Sequence, residues 1–488
     1  MYTLYTLQDW MATPEAARPK LLENVIKTYT GSADFLRARE AEEYFHADGT
    51  EVSRKVIVQP KKIRVKDESG RERSAAITED VVGNRIHSNF LFRFVTQQNQ
   101  FLLGSGVTLE DEELKKRLGR GFDKAVEQAG EKALLHGVCW GYWNLDHLEI
   151  LPAYRDAGSG FVALLDERTG DPGVGVQFWQ MDEDRPMYVR LFEADGLTEY
   201  RMGDDGFELI APKRAYKQTW LRDAAGVELI GAENYGVLPI VPFYASESRR
   251  SELNPSIKSK IDLFDRILSD FGDNLDRAND VYWVLNNFGG TSSEIVEMLE
   301  EIRRIKAVAN ISDGTGSGST AEPHTIEVPY AARQTALALL EKALYQDYMA
   351  LNMDELTGGS LTNVAIQAAM VNLNLKADRF EWQAFAFVQG VLRLLGVETE
   401  EISFRRQTLV NRSEVVQDIG LMRDYIDEQT ALTLNPYIMQ EQVEEIMERM
   451  AAEKLGRVEL PGMDQAASEV EDEQDAGKGG RDRAADDR

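Results

Sequence analysis

Residues 253–284 read LNPSIKSKIDLFDRILSDFGDNLDRANDVYWV. At 100° per residue, Ile257, Ile261, Phe264, Leu268, Phe271, Leu275 and Tyr282 fall on one face, at steps of three, four or seven. Asp262, Asp265, Asp273, Asp276 and Asp280 fall on the opposite face, with Asp270 at its edge. Asn254-Pro255 opens the run, Asn as an N-cap and Pro at the first helical position. The stretch predicts one two-faced helix, apolar on one side and a carboxylate ladder on the other. About 29 residues at 1.5 Å per residue make a rod of roughly 43 Å. A ring of chains has a use for such a rod. A plainer reading, a core helix of a large globular domain whose acidic side faces water, stays open at this point.

Working outward, the chain has 488 residues, which at about 150 per domain suggests roughly three domains. Its 43% hydrophobic content is ordinary for a soluble protein. No apolar run approaches the ~18 residues a membrane span needs. The first residues, MYTLYTLQDWMATPEAARPK, lack a charged segment followed by an apolar one, so no signal peptide is expected. The one cysteine, Cys139, excludes an intramolecular disulfide framework and fits a reducing compartment. The net charge is −28. Such a chain does not wrap nucleic acid by neutralising phosphates. Contact with DNA must be loose guidance or rest on local basic spots.

Residues 1–48 read as helical, with Leu21, Leu22, Val25, Ile26 and Tyr29 as an apolar stripe and Gly31 as a stop. Residues 50–76 alternate apolar and charged positions (Val56, Val58, Ile63, Val65), which predicts short strands. A helix is expected from Thr78 to Gln100, and another from Asp111 to Leu135. Residues 148–245 change character. Asp195-Gly196 and Asp205-Gly206 sit between alternating runs and signal hairpins of a β-rich subdomain.

Beyond the rod, residues 285–329 predict a small insert. It has a helix from Ser293 to Ile305, strands Ala307–Ile311 and His324–Val328, and a flexible loop Asp313–Ser319 between them. A second long helix is expected from Tyr330 to Met353, with Leu337, Leu340, Leu344, Tyr348 and Leu351 at helical spacing. Two rods joined by a small head make a stalk with a tip. The glycines of Leu356–Ser360 break the second rod. From Leu361 to Leu395 a third helix is apolar on most sides, through Val364, Ile366, Met370, Leu373, Phe380, Trp382, Phe385, Phe387 and Val391. Such a helix is buried on several faces, here by neighbouring subunits. A strand (Ile402–Phe404) and helices starting at Asn411 and Asn435-Pro436 follow, then a polar, aperiodic tail from about Gly462 that reads as disordered.

Several motifs point nowhere. His136-x-x-Cys139 with His147 invites a zinc reading, but a fourth ligand at defined spacing is missing, and structural roles are expected. No GxxxxGK[ST], HExxH or GxSxG occurs, so neither a nucleotide-driven motor nor a hydrolase nucleophile is legible. Trp140 and Trp143 read as core or subunit contacts rather than base-stacking platforms.

Four stretches, taken in order, carry a family likeness. They are NRIHSNFLFRFVTQQNQFLLGSGVTLE (84–110), LPIVPFYASESRRSELNPSIKSKIDLFDRILSD (238–270), LTGGSLTNVAIQAAMVNLNLKADRFEWQ (356–383) and YIDEQTALTLNPYIMQEQVEEIMERMAAEK (425–454). Their order and spacing resemble the portal, or head-to-tail connector, proteins of tailed double-stranded DNA bacteriophages, especially the long-tailed type. The resemblance implies an α+β, mainly α ring subunit with long stem helices, a small α/β clip, a mixed wing with a β-rich subdomain and a helical crown. The implied parts are a wing (1–252), a stem (253–284 and 330–353), a clip (285–329), a channel loop with a long kinked helix (354–398), a crown (399–461) and a tail (462–488). About twelve subunits would surround a central channel at one capsid vertex. The implied partners are double-stranded DNA in the channel, the terminase large subunit on the clip, then a head-completion or adaptor protein, and the major capsid and scaffolding proteins. The implied location is the virion, and the host cytoplasm during assembly. No enzyme activity and no cofactor are implied.

Within that frame the acidic face of the stem (Asp262, Asp265, Asp273, Asp276, Asp280) is expected to face the channel or the grooves between helices. An outward placement toward solvent is equally open. The apolar face (Ile257, Ile261, Phe264, Leu268, Phe271, Leu275) is expected to pack on neighbouring stems. Leu356, Thr357, Gly358, Gly359, Ser360, Leu361, Thr362 and Asn363 form the channel-loop candidate, with an ordinary helix–helix turn as the alternative. Arg303, Arg304 and Lys306 are docking candidates on the clip. These cations and Lys258 and Lys260 of the stem would touch phosphate or pair with carboxylates of the next subunit. Two other function classes stay in view: a non-viral helical scaffold or adaptor oligomer without a DNA channel, and an acidic hydrolase.

Overall fold

The computed structural model describes residues 4–48, 50–52, 61–66, 72–77, 83–182, 184–223, 226–277, 281–286, 320–325, 330–356, 362–399, 401–406, 411–423, 425–438 and 440–458. It divides into two compact units. One comprises Met1–Asn352 with Met370–Gln407, and the other Met353–Ala369 with Thr408–Arg488.

The first unit starts with α1 (Leu7–Ala12), opened by a reciprocal cap between Thr6 and Asp9. Helices α2 (Arg18–Thr30) and α3 (Ala33–Phe45) meet at Gly31, and Ser32 caps the second. Strands β1 (Lys61–Lys66) and β2 (Glu72–Ile77) form a two-stranded sheet of their own. Helix α4 spans Phe90–Leu103 and is followed by β3 (Val107–Leu109). The helix expected from Thr78 therefore starts at Phe90, after a non-helical segment at 83–89. The single helix expected over 111–135 is two, α5 (Glu112–Leu118) and α6 (Gly121–His136). Gly119, at φ +77°, adopts a left-handed backbone that ends the first of them.

Strands β4 (Val138–Asn144), β5 (His147–Pro152), β6 (Gly160–Leu165), β7 (Pro172–Trp179), β8 (Tyr188–Glu193), β9 (Gly196–Gly203), β10 (Gly206–Arg214), β11 (Lys217–Asp223), β12 (Gly226–Glu233) and β13 (Ile240–Tyr244) make up the β-rich region. Strands β6 to β10 form an antiparallel five-stranded meander, and β13-β4-β5 form a three-stranded sheet. Pairing of Glu193 with Gly196 and of Gly203 with Gly206 leaves the two-residue turns Ala194-Asp195 and Asp204-Asp205.

Helix α7 spans Pro255–Arg277, where Asn254 accepts hydrogen bonds from the Ser256 and Ile257 amides as the N-cap. The helix expected to continue to Val284 stops at Arg277. Val281–Asn286 instead form β14, paired antiparallel with β15 (Thr320–Thr325). Twenty-three residues give a rod of roughly 35 Å instead of 43 Å. The strand expected at His324–Val328 lies earlier, at Thr320–Thr325. The expected helix over 293–305, strand over 307–311 and loop over 313–319 lie outside the described residues.

Helix α8 spans Tyr330–Tyr348, shorter than expected, and Met349 follows at φ +64°. Helix α9 spans Asn363–Leu394, and β16 (Ile402–Phe404) pairs with β3. One core joins α4, α6, the first half of α7, the end of α8 and the second half of α9. Phe243 lies stacked between Phe380 and Phe387, with ring centroids 5.4 and 4.7 Å away. Gly141 of β4 lets this stack close, because a Cβ there would lie 2.7 Å from the Phe387 ring. A second core packs Trp10, Leu22 and Val25 of α1 and α2 on Val176 and Val189 of the meander.

The second unit holds α10 (Arg412–Leu421), α11 (Glu428–Leu434) and α12 (Gln440–Val458). Asn411 and Asp427 cap the first two. Neither α10 nor α11 buries a residue, and Tyr425 between them is 88% exposed. The tail beyond Val458, expected to be disordered, lies outside the described residues.

Candidate channel and assembly surfaces

The apolar face of α7 is used inside the subunit. Ile257 and Ile261 are buried in the first core. Phe264 meets Phe90 edge-on at 5.0 Å, and Phe271 meets Tyr330 of α8 edge-on at 5.6 Å. Leu268 is half-buried, and Leu275 is 46% exposed. Within the chain, Ile257, Ile261, Phe264 and Phe271 thus have apolar partners of their own.

The acidic face is not an open ladder either. The extended segment 83–89 runs antiparallel along α7 and spends alternate amides on it. Asn84 N–H donates to Asp273 Oδ1 (2.6 Å), Ile86 N–H to Ser269 Oγ (3.0 Å) and Ser88 N–H to Asp265 Oδ1 (2.9 Å). Alternate residues of an extended chain lie about 6.7 Å apart, and helical positions i and i+4 about 6 Å apart, so the two repeats match over this length. These amides have no sheet partner, and side-chain oxygens take that place. Gly272 eases the approach, since a Cβ there would lie 3.1 Å from the side-chain Nδ2 of Asn84.

One turn earlier, Tyr44 donates its hydroxyl to Asp262, which also accepts from Lys258 Nζ at 3.1 Å. Asp265 is 1% exposed, and burial raises its pKa to about 6, with the nearby Asp262 charge adding to the rise. Asp265 and Asp273 thus hold the segment 83–89 to the helix, and Asp262 ties Tyr44 of α3 to it. Asp280 and the side chain of Asp276 lie outside the described residues. Lys258 and Lys260 pair with Asp262 and Asp347 of their own chain.

The end of α8 is pinned from three sides. Tyr348 stacks on Phe94 at 4.6 Å and donates its hydroxyl to Gln98. The Gln97 side-chain amide both donates to Leu351 O (3.0 Å) and accepts from Leu351 N–H (2.9 Å). Lys376 of α9 donates to Glu252 (2.8 Å) and to Tyr348 O (2.9 Å), and its ammonium sits over the Tyr348 ring. Burial lowers the Lys376 pKa despite Glu252. No sequence motif marks these residues. The one available signal is a lysine beside the apolar positions Leu373, Ala377 and Phe380 of that helix.

Of the channel-loop candidates, Leu356 ends a 3₁₀ turn, Met353–Leu356. Thr362 caps α9, its hydroxyl accepting from Ala365 N–H at 3.3 Å. Asn363 accepts from Asn411 N–H (2.7 Å) and donates its own N–H to Glu414 (2.6 Å). Thr362 and Asn363 are therefore anchored at the start of α9. Thr357, Gly358, Gly359, Ser360 and Leu361 lie outside the described residues, as do Arg303, Arg304 and Lys306.

Helix α9 has two apolar faces. Met370, Leu373, Ala377, Phe380 and Ala384 are buried. On the opposite side Val371 is 50%, Leu375 51% and Trp382 74% exposed. The steps of four and seven residues between these three place them on one stripe.

The His–Cys segment is held by protein partners. Burial pushes the Cys139 thiol up to about 12, where it is inert. His136 bonds Glu42 through Nε2 at 2.8 Å, and His147 bonds Asp146. Among the described residues no group of three His, Cys, Asp or Glu is placed to hold a metal, and no helix is long and apolar enough to cross a membrane.

Comparison with known proteins agrees with the reading of the four stretches. A family model described as Phage portal protein, SPP1 Gp6-like, matches residues 27–458. A curated protein named Portal protein, from Clostridium phage phiCD119, is 28% identical over 167 residues, 33% of this chain. The chain covers 36% of that relative's length.

Proposed function

The chain belongs to the SPP1 Gp6-like phage portal protein family, and from that premise we propose that it assembles into a ring of about twelve copies around a channel for double-stranded DNA. The ring sits at one capsid vertex of the virion, after assembly in the host cytoplasm. Residues 1–252 form its wing, α7 and α8 its stem, 285–329 its clip, 354–398 its channel loop and adjoining helix, and 399–461 its crown. The clip, with Arg303, Arg304 and Lys306, docks the terminase large subunit during packaging and a head-completion protein afterwards. Residues 357–361 project into the bore.

The observation that carries the assembly is the uncovered stripe of α9. Burying a fully exposed large apolar side chain is worth about 1.5–3 kcal/mol, so Val371, Leu375 and Trp382, half to three-quarters exposed, together offer roughly 3–5 kcal/mol to each subunit interface. The crown helices, with no residue buried in α10 or α11, support the same reading. The conduit holds DNA without gripping it, because an acidic subunit gives no dense phosphate-neutralising lining.

Negative-stain imaging and native mass of the purified chain test this. Rings with a bore are expected. Leu375→Glu with Trp382→Glu should leave the fold intact, since both side chains face solvent, and stop ring formation. A compact monomer at all working concentrations overturns the proposal.

A further inference from the structure

The second unit buries little of its own apolar surface. Among its described residues, only Ile366 and Val443 are buried apolar side chains. Val364, Leu421, Tyr425, Leu434 and Tyr437 are each more than half exposed. Helices α10 and α11 have ten and seven residues. Isolated helices shorter than roughly 12–15 residues are marginal in water. Asn411 and Asp427 cap these two, but a cap does not replace packing. Every residue held in a helix gives up backbone freedom, and apolar burial is the main term that offsets the loss. Among the described residues, the core of this unit is therefore incomplete within one chain.

We propose that this unit, the crown of the ring reading, completes its core with the crowns of neighbouring copies and orders only as the ring forms. The inference rests on that reading and adds a folding step to it. Two observations choose a second copy as the occupant. The first is continuity. Val364 stands in the first turn of α9 and is exposed. Steps of seven, four and seven residues along Val364, Val371, Leu375 and Trp382 keep all four within an arc of about 40°. The stripe assigned to the subunit interface thus begins at the start of α9, where Asn363 accepts from Asn411 N–H and donates to Glu414 of α10. A copy seated on that stripe brings its own crown alongside, at the high effective concentration of a tethered group. The second is charge. Residues 411–458 hold ten Asp and Glu against five Lys and Arg, so the surface does not suit a phosphate backbone.

Hydrogen exchange on the full-length chain, read by mass spectrometry below and above the concentration at which native mass shows rings, tests this. Dilute wild type and Leu375→Glu with Trp382→Glu supply the monomer. In monomers the amides of α10 and α11 should exchange close to the rate of an unstructured chain, while those of α4 and α6 stay protected. In rings the α10 and α11 amides should slow by roughly a hundredfold. Leu421→Ser with Tyr425→Ser, both at exposed positions, should leave monomers unchanged and speed the same amides in rings by roughly tenfold. Equal protection in monomers and rings overturns the proposal, because the unit then folds alone. Amides as open in rings as in monomers overturn it and leave the ring reading standing, and so does a Ser variant whose rings match wild type. Protection of rings that appears only when duplex DNA is added also overturns it and gives the surface to nucleic acid. If native mass shows no rings at any concentration, the ring reading falls first and the completed crown with it.

Discussion

Replacing Asp265 with Asn should stabilise the protein above neutral pH and do nothing in acid. Asp265 is 1% exposed and its pKa is raised to about 6 by burial, against about 3.9 in an unfolded chain. Two units at 1.36 kcal/mol each give about 3 kcal/mol as the upper bound of the effect. A carboxyl whose folded pKa is raised favours the folded state when protonated. Its cost is absent below about pH 4, grows between about pH 4 and 6, and is complete above that. Asn keeps an oxygen for the Ser88 amide at the Asp265 Oδ1 position and never ionises. Wild type should therefore lose stability relative to Asp265→Asn as pH rises from about 4 to 7.

Asp265→Ala is the control. It leaves the Ser88 amide without its acceptor, at about 1–3 kcal/mol at every pH. Thermal melting across this range, with hydrogen exchange at Asn84, Ile86 and Ser88, reads both. An Asp265→Asn protein that melts in parallel with wild type at all pH values refutes the raised pKa. One less stable than wild type at pH 8 refutes the claim that the buried charge is a burden.

Other substitutions test neighbouring parts of the same account. Gly272→Ala puts a methyl against Asn84 and should speed hydrogen exchange at Asn84 and Ile86 while leaving the α4 amides protected, at about 1–3 kcal/mol of strain. Lys376→Met leaves Glu252 without its cation and Tyr348 O without a donor, so the melting curve should shift down by about 2–4 kcal/mol; adding Glu252→Leu should restore much of the loss. Glu42 is mostly buried, but hydrogen bonds and charge from His136 and Lys132 outweigh burial and hold its pKa at about 2. A depressed carboxylate stabilises above its unfolded pKa and stops doing so as pH falls, so Glu42→Gln should cost up to about 3 kcal/mol at pH 7 and nothing at pH 2. A constant difference across that range would contradict the pairing.

What could be read from the residues was what short-range physics decides. The turns before Gly196 and Gly206 were legible because a two-residue hairpin is fixed by its own backbone angles. Gly31 and Asn254 marked helix ends for the same local reason. The rod was over-read because Tyr282 happens to continue the helical spacing. The VYWVLN run is β-branched and aromatic, and its partner at Thr320–Thr325 lies over thirty residues away. The bonding of the carboxylates was hidden for a similar reason. Periodicity shows that Asp265 and Asp273 share a side of α7, but not that a segment about 180 residues earlier brings amides to that side. On α9 the composition showed two apolar sides, and one of them is filled by the subunit itself.

The spending of stem carboxylates inside the subunit changes where the negative charge acts. With Asp262, Asp265 and Asp273 bonded to Tyr44, Ser88 and Asn84 of the same chain, repulsion between copies in the proposed ring comes from the remaining acidic surface. The proposed ring of about twelve copies would carry a formal charge on the order of −300, felt over about 8 Å in physiological salt. That long-range term is screened first as salt rises, whereas apolar burial along Val371, Leu375 and Trp382 is not weakened by screening. Ring assembly should therefore strengthen from about 0.01 to 0.15 M salt and level off or weaken above it. A wild-type ring that weakens from the lowest salt onward would mean that attraction between opposite charges, rather than apolar burial, holds the copies together.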